Sequence, residues 1–141
     1  MTVSRKPSNP KDAIAVRKRK SSTVPQLVLA ELGVAMLEGA IKYGRHNYRA
    51  IGVKSSVYYD AACGHIDDWW EGEDIDPDSG ISHITKAIAS LVVLRDSMIF
   101  GSLNDDRPPK HDVAKHKAEM EEIIGKMCDD NVVSVNPYTE K

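Results

Sequence analysis

Several residue types are scarce in this chain, and each scarcity excludes a class of protein. Its two cysteines, Cys63 and Cys128, make neither a disulfide framework nor a metal-binding pattern, which indicates a reducing cytoplasm. No apolar run reaches the roughly 18 residues that a bilayer span needs, so we expect no membrane partner. The basic amino terminus is not followed by an apolar segment, so we expect no signal peptide. The net charge of −2 provides no overall field that would attract DNA.

The charges that are present are unevenly distributed along the 141 residues. Residues 1–23 carry seven lysines and arginines and a single acid, and they lack apolar periodicity. They predict a basic, disordered arm, although the "NPKD" at 9–12 could instead fold over an anionic ligand. The remainder is acidic and predicts one all-helical domain over 24–128. A tail over 129–141 follows, with one short "VVSV" strand or no regular structure.

Helical patterns dominate that central domain. The first predicted helix runs from about 25 to 43, because proline suits a first helical turn and Gly44 suits the end. Three more helices are expected over about 55–70, 80–100 and 110–128. The expected amino-terminal caps are Ser55 or Ser56 for the second helix and Asp78 or Ser79 for the third.

Four helices with modest loops predict an all-α, four-helix bundle. The first helix is apolar almost all round, which is typical of a buried helix. Its apolar surplus also favours pairing of the bundle with a second copy, as a homodimer or homotetramer. Its few charges, Glu31, Glu38 and Lys42, fall on one stripe, and such a stripe on a buried helix must be paired or must bind a ligand.

An acidic stretch follows, "GHIDDWWEGEDIDPDSGISH" at 64–83, with seven carboxylates and two histidines beside two tryptophans. If the first two helices are antiparallel neighbours, several of these acids converge in a partly apolar site. Ionised carboxylates there would repel one another at a cost of several kcal/mol, which a divalent cation removes. Hard oxygen ligands predict Mg²⁺ or Mn²⁺. The candidate metal ligands are Glu31, Glu38, Asp68, Glu73 and Asp76.

The loop "KYGRHNYR" after the first helix supplies cations and tyrosines that suit a nucleotide polyphosphate. The candidate substrate-binding residues are Lys42, Tyr43, Asn47, Arg49, His65 and His83. Glu38 and Glu73 are the candidate catalytic residues, since a carboxylate can position an attacking water. Simpler interpretations stay open at this point: a solvated acidic loop with helix caps, tryptophans that pack in the core or at a dimer interface, and a core histidine at His65.

Three segments resemble the MazG-like dATP/dGTP diphosphohydrolases: "GAIKYGRHNYR", "YYDAACGHIDDWW" and "GEDIDPDSGISHITKAIASL". The shared residues are Gly39, Ala40, Lys42, Tyr43, Gly44, Asn47, Arg49, His65, Trp69, Gly72, Glu73, Asp76, Gly80 and His83. The sequence departs from the family pattern at Tyr48, Gly64 and Asp78. Ala35 stands where broader MazG-like enzymes have the first glutamate of E-x-x-E, and Glu31 is the candidate substitute. The second acidic motif is either His65/Asp68 or Glu73/Asp76.

This resemblance implies hydrolysis of a purine deoxynucleoside triphosphate, dGTP or dATP, to the monophosphate and pyrophosphate. It also implies Mg²⁺ or Mn²⁺ as cofactor, an oligomeric all-α fold and, as in phage MazZ-type enzymes, a role in the nucleotide pool of viruses with 2-aminoadenine genomes. The expected location is then the cytoplasm of an infected bacterial host.

Two alternative functions remain at this stage. The pair His111–Asp112 could belong to an HD-type phosphohydrolase, which releases triphosphate. The basic arm could instead bind nucleic acid in a protein that is not an enzyme, although nucleic acid is not the partner we expect.

Overall fold

The structure is a computed structural model in which residues 8–130 are described. The chain divides into two compact units, Met1–Arg107 and Pro108–Lys141. The described part is mostly helical, as expected for an all-α protein. None of the helices in residues 8–130 combines the length and apolar character needed to cross a membrane.

The first unit contains five α-helices and one short parallel strand pair in its described residues. In chain order these are α1 (Pro10–Ala15), a 3₁₀ turn (Ser21–Thr23), α2 (Gln26–Tyr43), α3 (Asn47–Ala50), β1 (Val53–Lys54), α4 (Ser55–Trp70), α5 (His83–Phe100) and β2 (Leu103–Asn104). The bounds predicted for α2, α4 and α5 agree with these to within about three residues.

Helix α5 is the centre of this unit. Both α2 and α4 pack mainly against α5 rather than against each other. The expectation that the first two long helices are neighbours across one seam is therefore wrong, because the third helix lies between them as the shared partner. Small side chains make the buried core, which allows close approach of the helices. The buried apolar residues are Ala35, Val53, Ala62, Ala87 and Val93.

Helix α2 ends where the sequence predicted, since Gly44 adopts a φ of 92° that other residues disfavour. Within one chain, however, the helix is not buried. Ala35 is its one buried residue, whereas the side chains of Leu27 and Ile41 are 82% and 77% exposed. The all-round apolar character of α2 is thus not explained by packing inside a single chain.

Helix α4 is capped by a distant residue and not by its own serines. The backbone N–H of Ser56 donates to Asp106 Oδ1 at 2.8 Å, and the Ser56 hydroxyl donates to Asp106 Oδ2. A carboxylate suits this position because the amino terminus of a helix carries partial positive charge. The predicted serine cap is wrong, since a segment about 50 residues away supplies the acceptor.

The short β1–β2 pair holds that distant segment in place. Val53 pairs with Leu103 in parallel, and the Val53 N–H donates to Ser102 O at 3.2 Å. Gly52 makes this approach possible: it has a φ of 88°, and a Cβ there would lie 2.6 Å from Ser102 O. The pair is too short for sequence alternation to predict it.

The described part of the basic arm is folded locally. Helix α1 begins after Asn9, whose side chain accepts from Lys11 N at 3.0 Å, and the 3₁₀ turn follows. Lys20 Nζ donates to backbone carbonyls that include Val16 O at 2.9 Å. The arm was predicted to be disordered, and residues 9–23 contradict this. All of these residues are exposed.

The second unit contributes helix α6 (Ala114–Asp130). It begins four residues later than predicted, because Asp112 Oδ1 accepts from Ala114 N at 3.0 Å and so marks the helix start. Residues 1–7 and 131–141, which include the predicted "VVSV" strand, lie outside the described residues. The predicted domain boundaries at 23/24 and 128/129 remain predictions.

Candidate metal and nucleotide site

The polar residues of the acidic stretch meet side chains of α2 and α5 in two adjoining clusters of the first unit. The histidine cluster consists of His65, Asp68, Glu73 and His83. The lysine cluster consists of Glu38, Lys42, Asp76, Asp78 and Lys86.

The connector between α4 and α5 is a compact loop that positions acids for both clusters. The N–H of Asp76 donates to Ile81 O at 2.9 Å, and the N–H of His83 donates to Asp74 O at 3.0 Å. The N–H of Glu73 donates to Asp68 O at 3.0 Å. These bonds set the E-x-x-D pair so that Glu73 reaches the histidine cluster and Asp76 reaches the lysine cluster.

Asp76 organises the tip of that loop. Its Oδ1 accepts from the Asp78 N–H at 3.1 Å, and its Oδ2 accepts from the Ser79 hydroxyl at 3.0 Å. Asp78 and Ser79 were predicted to cap α5, and this is wrong: α5 starts after Ser82, which makes no side-chain cap. The Asp78 backbone N–H and the Ser79 hydroxyl donate to Asp76 instead, because Asp76 is a buried acceptor that needs donors, while the side chain of Asp78 is 80% exposed.

His83 is the centre of the histidine cluster and is only 2% exposed. Its Nε2 lies 2.8 Å from Glu73 Oε1, and its Nδ1 lies 2.8 Å from His65 Nδ1. The Glu73 carboxylate accepts, so His83 donates from Nε2, and the facing Nδ1 atoms of the two rings share one hydrogen bond in which one ring donates and the other accepts.

The pKa of His65 lies below its ordinary value. Burial is the main cause, and the positive charge of Lys86 and the neighbouring His83 lower the pKa further, against the opposite effect of Asp76 and Asp68. His65 is therefore neutral near pH 7. The charges of Lys86 and Asp76 act on the pKa of His65, as expected for two adjoining clusters.

The histidine cluster contains the group of possible metal ligands in the described residues. Asp68, Glu73 and His83 each offer one ligand atom, and these atoms lie within 4.8 Å of one another. The two carboxylates are exposed and the imidazole is buried. Two carboxylates fit Mg²⁺ or Mn²⁺, and imidazole is a ligand that transition metals such as Mn²⁺ accept more readily than Mg²⁺ does. The residues present therefore fit the divalent cation expected from the sequence.

Lys86 is the centre of the lysine cluster. Its Nζ lies 3.0 Å from Glu38 Oε2 and 2.9 Å from Asp76 Oδ2, and its side chain is 15% exposed. Lys42 Nζ lies 2.6 Å from Glu38 Oε1 and 3.4 Å from Asp78 Oδ2. Two lysines thus neutralise two of the three carboxylates, which leaves the cluster with one net negative charge.

These contacts keep the acids of the lysine cluster ionised. Burial opposes ionisation of Asp76, but hydrogen bonds from Lys86, the Asp78 N–H and Ser79 outweigh burial and lower its pKa to about 2. The hydrogen bond from Lys42 is the main reason that the pKa of Glu38 is lowered, with Lys86 adding to it against burial. Both carboxylates are charged at neutral pH.

Some predicted site residues lie elsewhere in the unit. Arg49 makes two hydrogen bonds to Asp96, at 2.7 and 2.9 Å, and lies over the Phe100 ring at 5.1 Å. Asp96 follows Lys86 by ten residues, or about 15 Å along α5. Glu31 is exposed and precedes Glu38 by about 10 Å along α2.

The remaining substrate-loop residues flank the end of α2. Tyr43 is exposed next to Lys42, and Asn47 begins α3 half-buried. Their roles in binding remain predictions. The sequence reading missed Lys86, although a signal was present: Lys86 is the one charged residue of α5 between His83 and Arg95. A lone charge on an apolar helix must find a partner, the same reasoning that singled out the stripe of α2.

The described residues do not support the HD alternative. Asp112 accepts from the Ala114 N–H at the start of α6, and the group of possible metal ligands includes neither His111 nor Asp112.

A family model described as dATP/dGTP diphosphohydrolase, N-terminal, matches residues 8–107. The chain belongs to this family. The resemblance inferred from the three segments is thereby confirmed, and membership supports a hydrolase with a deoxynucleoside triphosphate substrate. The family match ends at the residue where the first compact unit ends and contains both clusters. No curated protein and no solved structure matches the chain.

Proposed function

We propose that the protein is a metal-dependent pyrophosphohydrolase that converts a purine deoxynucleoside triphosphate, dGTP or dATP, to the monophosphate and pyrophosphate. The observation that carries the proposal is the convergence of the two clusters inside the family-matched segment. Residues from α2, α4, the connector and α5 contribute exposed carboxylates and a buried imidazole to one cluster, and lysines hydrogen-bonded to carboxylates to the other.

Asp68, Glu73 and His83 would hold a Mg²⁺ or Mn²⁺ ion, with Glu38 and Asp76 beside them. When bound, such an ion neutralises phosphate charge and makes a water molecule more acidic. His83 is buried and fixed by two hydrogen bonds, so it would orient Glu73, and it would have to give up one of these bonds to donate a ligand atom.

Side chains of the protein would bind the phosphates and carry out the proton transfer. Lys42 is half-exposed at the end of α2 and is the lysine that an incoming phosphate reaches most easily. An exposed carboxylate, Glu73 or Asp68, positions the attacking water and takes its proton. The water oxygen bonds to the α-phosphorus, and the bond from the α-phosphorus to the bridging oxygen breaks. That oxygen leaves with the pyrophosphate.

The exposed apolar face of α2 supports a homo-oligomer. Leu27, Val34, Leu37 and Ile41 are all more than half exposed, which is unusual for one helix of a stable single chain. A second copy would cover them, in a homodimer or homotetramer. The proposed setting is the cytoplasm of an infected bacterial host, where the product monophosphate would enter the 2-aminoadenine genome pathway.

Product analysis tests the proposal. The protein is incubated with each dNTP and NTP in Mg²⁺ or Mn²⁺, and the products are separated by ion-exchange chromatography. We expect dNMP and pyrophosphate from dGTP or dATP. Release of triphosphate would favour the HD alternative, and no hydrolysis combined with salt-sensitive DNA binding would favour the non-enzymatic one.

A further inference from the structure

Lys86 joins two carboxylates that come from different parts of the chain. Glu38 lies on α2 and Asp76 lies in the connector, and the Lys86 ammonium contacts an oxygen of each at 3.0 and 2.9 Å. The three side chains are mostly buried, so water screens their charges only weakly. Without the ammonium group, two carboxylates would face each other with little solvent between them.

An ammonium in this place resembles a bound cation in its effect. It satisfies the same oxygen atoms that a divalent ion would seek, and it repels any second cation that approaches them. A free metal ion must therefore displace Lys86 or tolerate its charge. A phosphate group offers the ammonium another anion, and the flexible lysine stem allows the exchange.

We propose that Lys86 is an internal counter-cation, which holds Glu38 and Asp76 together in the metal-free chain and opposes divalent-cation binding there until a phosphate attracts it. This makes Lys86 a positioning residue and favours entry of the ion together with the nucleotide. The inference rests on the proposed function for the identity of the ligand, but the competition between lysine and metal is a property of the chain alone.

The experiment measures Mn²⁺ binding without nucleotide, by following the electron paramagnetic resonance signal of free Mn²⁺ during titration. We compare wild type with Lys86→Met and Lys86→Arg. Loss of the charge in Lys86→Met should tighten Mn²⁺ binding roughly tenfold or more, whereas Lys86→Arg should stay within about threefold of wild type. Unchanged or weaker binding in Lys86→Met overturns the proposal.

Lys42→Met is the matched control. Lys42 also contacts Glu38, at 2.6 Å, but it is half-exposed and does not contact Asp76. Because solvent screens its charge, the gain in Mn²⁺ affinity should be smaller than for Lys86→Met. An equal or larger gain in Lys42→Met would mean that the bridging position of Lys86 has no special effect, and it would overturn the proposal as well.

Folding of Lys86→Met provides a second readout, since the variant leaves Glu38 and Asp76 without their shared counter-charge. If the variant lacks helical circular dichroism in metal-free buffer, Mn²⁺ should restore the signal and KCl at matched ionic strength should not. Failure of Mn²⁺ to restore it counts against the proposal. If the wild type hydrolyses dNTP but Lys86→Met binds Mn²⁺ with unchanged affinity, only the role of Lys86 is refuted. If Lys86→Met binds Mn²⁺ more tightly but the wild type hydrolyses no dNTP, only the enzymatic function is refuted.

Discussion

The two clusters use similar residues and arrive at opposite electrostatic states. In the lysine cluster, carboxylates from α2 and the connector are neutralised by Lys86 and Lys42. In the histidine cluster, no lysine or arginine pairs with Asp68 or Glu73 among residues 8–130: Glu73 contacts the His83 imidazole, Asp68 lies within 4.8 Å of both, and the pKa of His65 is lowered. The comparison teaches that acidic side chains alone do not define a cation site. What matters is whether the fold has already supplied the counter-charge.

The largest expected effect tests the histidine cluster, whose carboxylates have no lysine partner among the described residues. Glu73→Gln should reduce turnover by roughly three orders of magnitude, because the side chain keeps its shape but loses the charge that binds the ion. The helical fold should remain, as judged by circular dichroism. Glu71→Gln, in the same connector but outside both clusters, is the control. Wild-type rates of product formation in Glu73→Gln would remove this residue from the site.

Truncation of the buried centre of the histidine cluster should cost stability as well. His83→Ala removes hydrogen bonds to Glu73 and His65 and leaves a cavity, so urea unfolding should show a loss of about 3 kcal/mol. His46→Asn alters an exposed histidine of the same unit and keeps a residue that tolerates its φ of 62°. Similar losses in the two variants would contradict the central position of His83.

The ionisation of Asp76 in the lysine cluster should make the free energy of unfolding depend on pH. The pKa of Asp76 is lowered in the folded chain from 3.8 to about 2, so its contribution is present above pH 4 and is lost as the pH falls toward 2. The shift corresponds to about 2 kcal/mol. In Asp76→Asn the free energy of unfolding should therefore fall less steeply over this range. Equal slopes for wild type and variant would show that Asp76 is not held as described.

The smallest expected effect concerns Arg49. The sequence predicts that Arg49 binds phosphate, whereas the structure pairs it with Asp96. If the role of Arg49 is its ion pair with Asp96, Arg49→Lys should shift the denaturation midpoint slightly and keep activity within about threefold of wild type. Asp96→Asn should behave alike. A large loss of activity in Arg49→Lys and not in Asp96→Asn would instead return Arg49 to phosphate binding, as the sequence predicted.

Local patterns were sufficient for much of this molecule. Apolar periodicity, Pro25 and Gly44 placed α2, and similar signals placed α4 and α5 to within a few residues. The three resembling segments identified the family, which the match over residues 8–107 confirmed. They also directed attention to Glu73, His65 and His83, which the fold brings into contact.

Those local patterns did not predict contacts between residues that are far apart in the sequence. The caps expected from nearby serines and Asp78 were wrong, because Asp106 caps α4 and Asp76 accepts from the Asp78 N–H and the Ser79 hydroxyl. The free backbone N–H groups at a helix start need an acceptor. The neighbouring sequence does not reveal whether a residue far away in the chain supplies it. The choice of α5 as the shared partner of α2 and α4 was likewise invisible in the individual helices.

The order of residues alone thus determined where helices form, which residue types are available and which family they belong to, because these depend on neighbours within a few turns. The tertiary structure decided which acids receive a lysine and which remain free for a cation. That decision depends on distances between side chains far apart in the chain. A charge interaction depends on the distance between the groups in space and on their burial, and spacing in sequence gives neither.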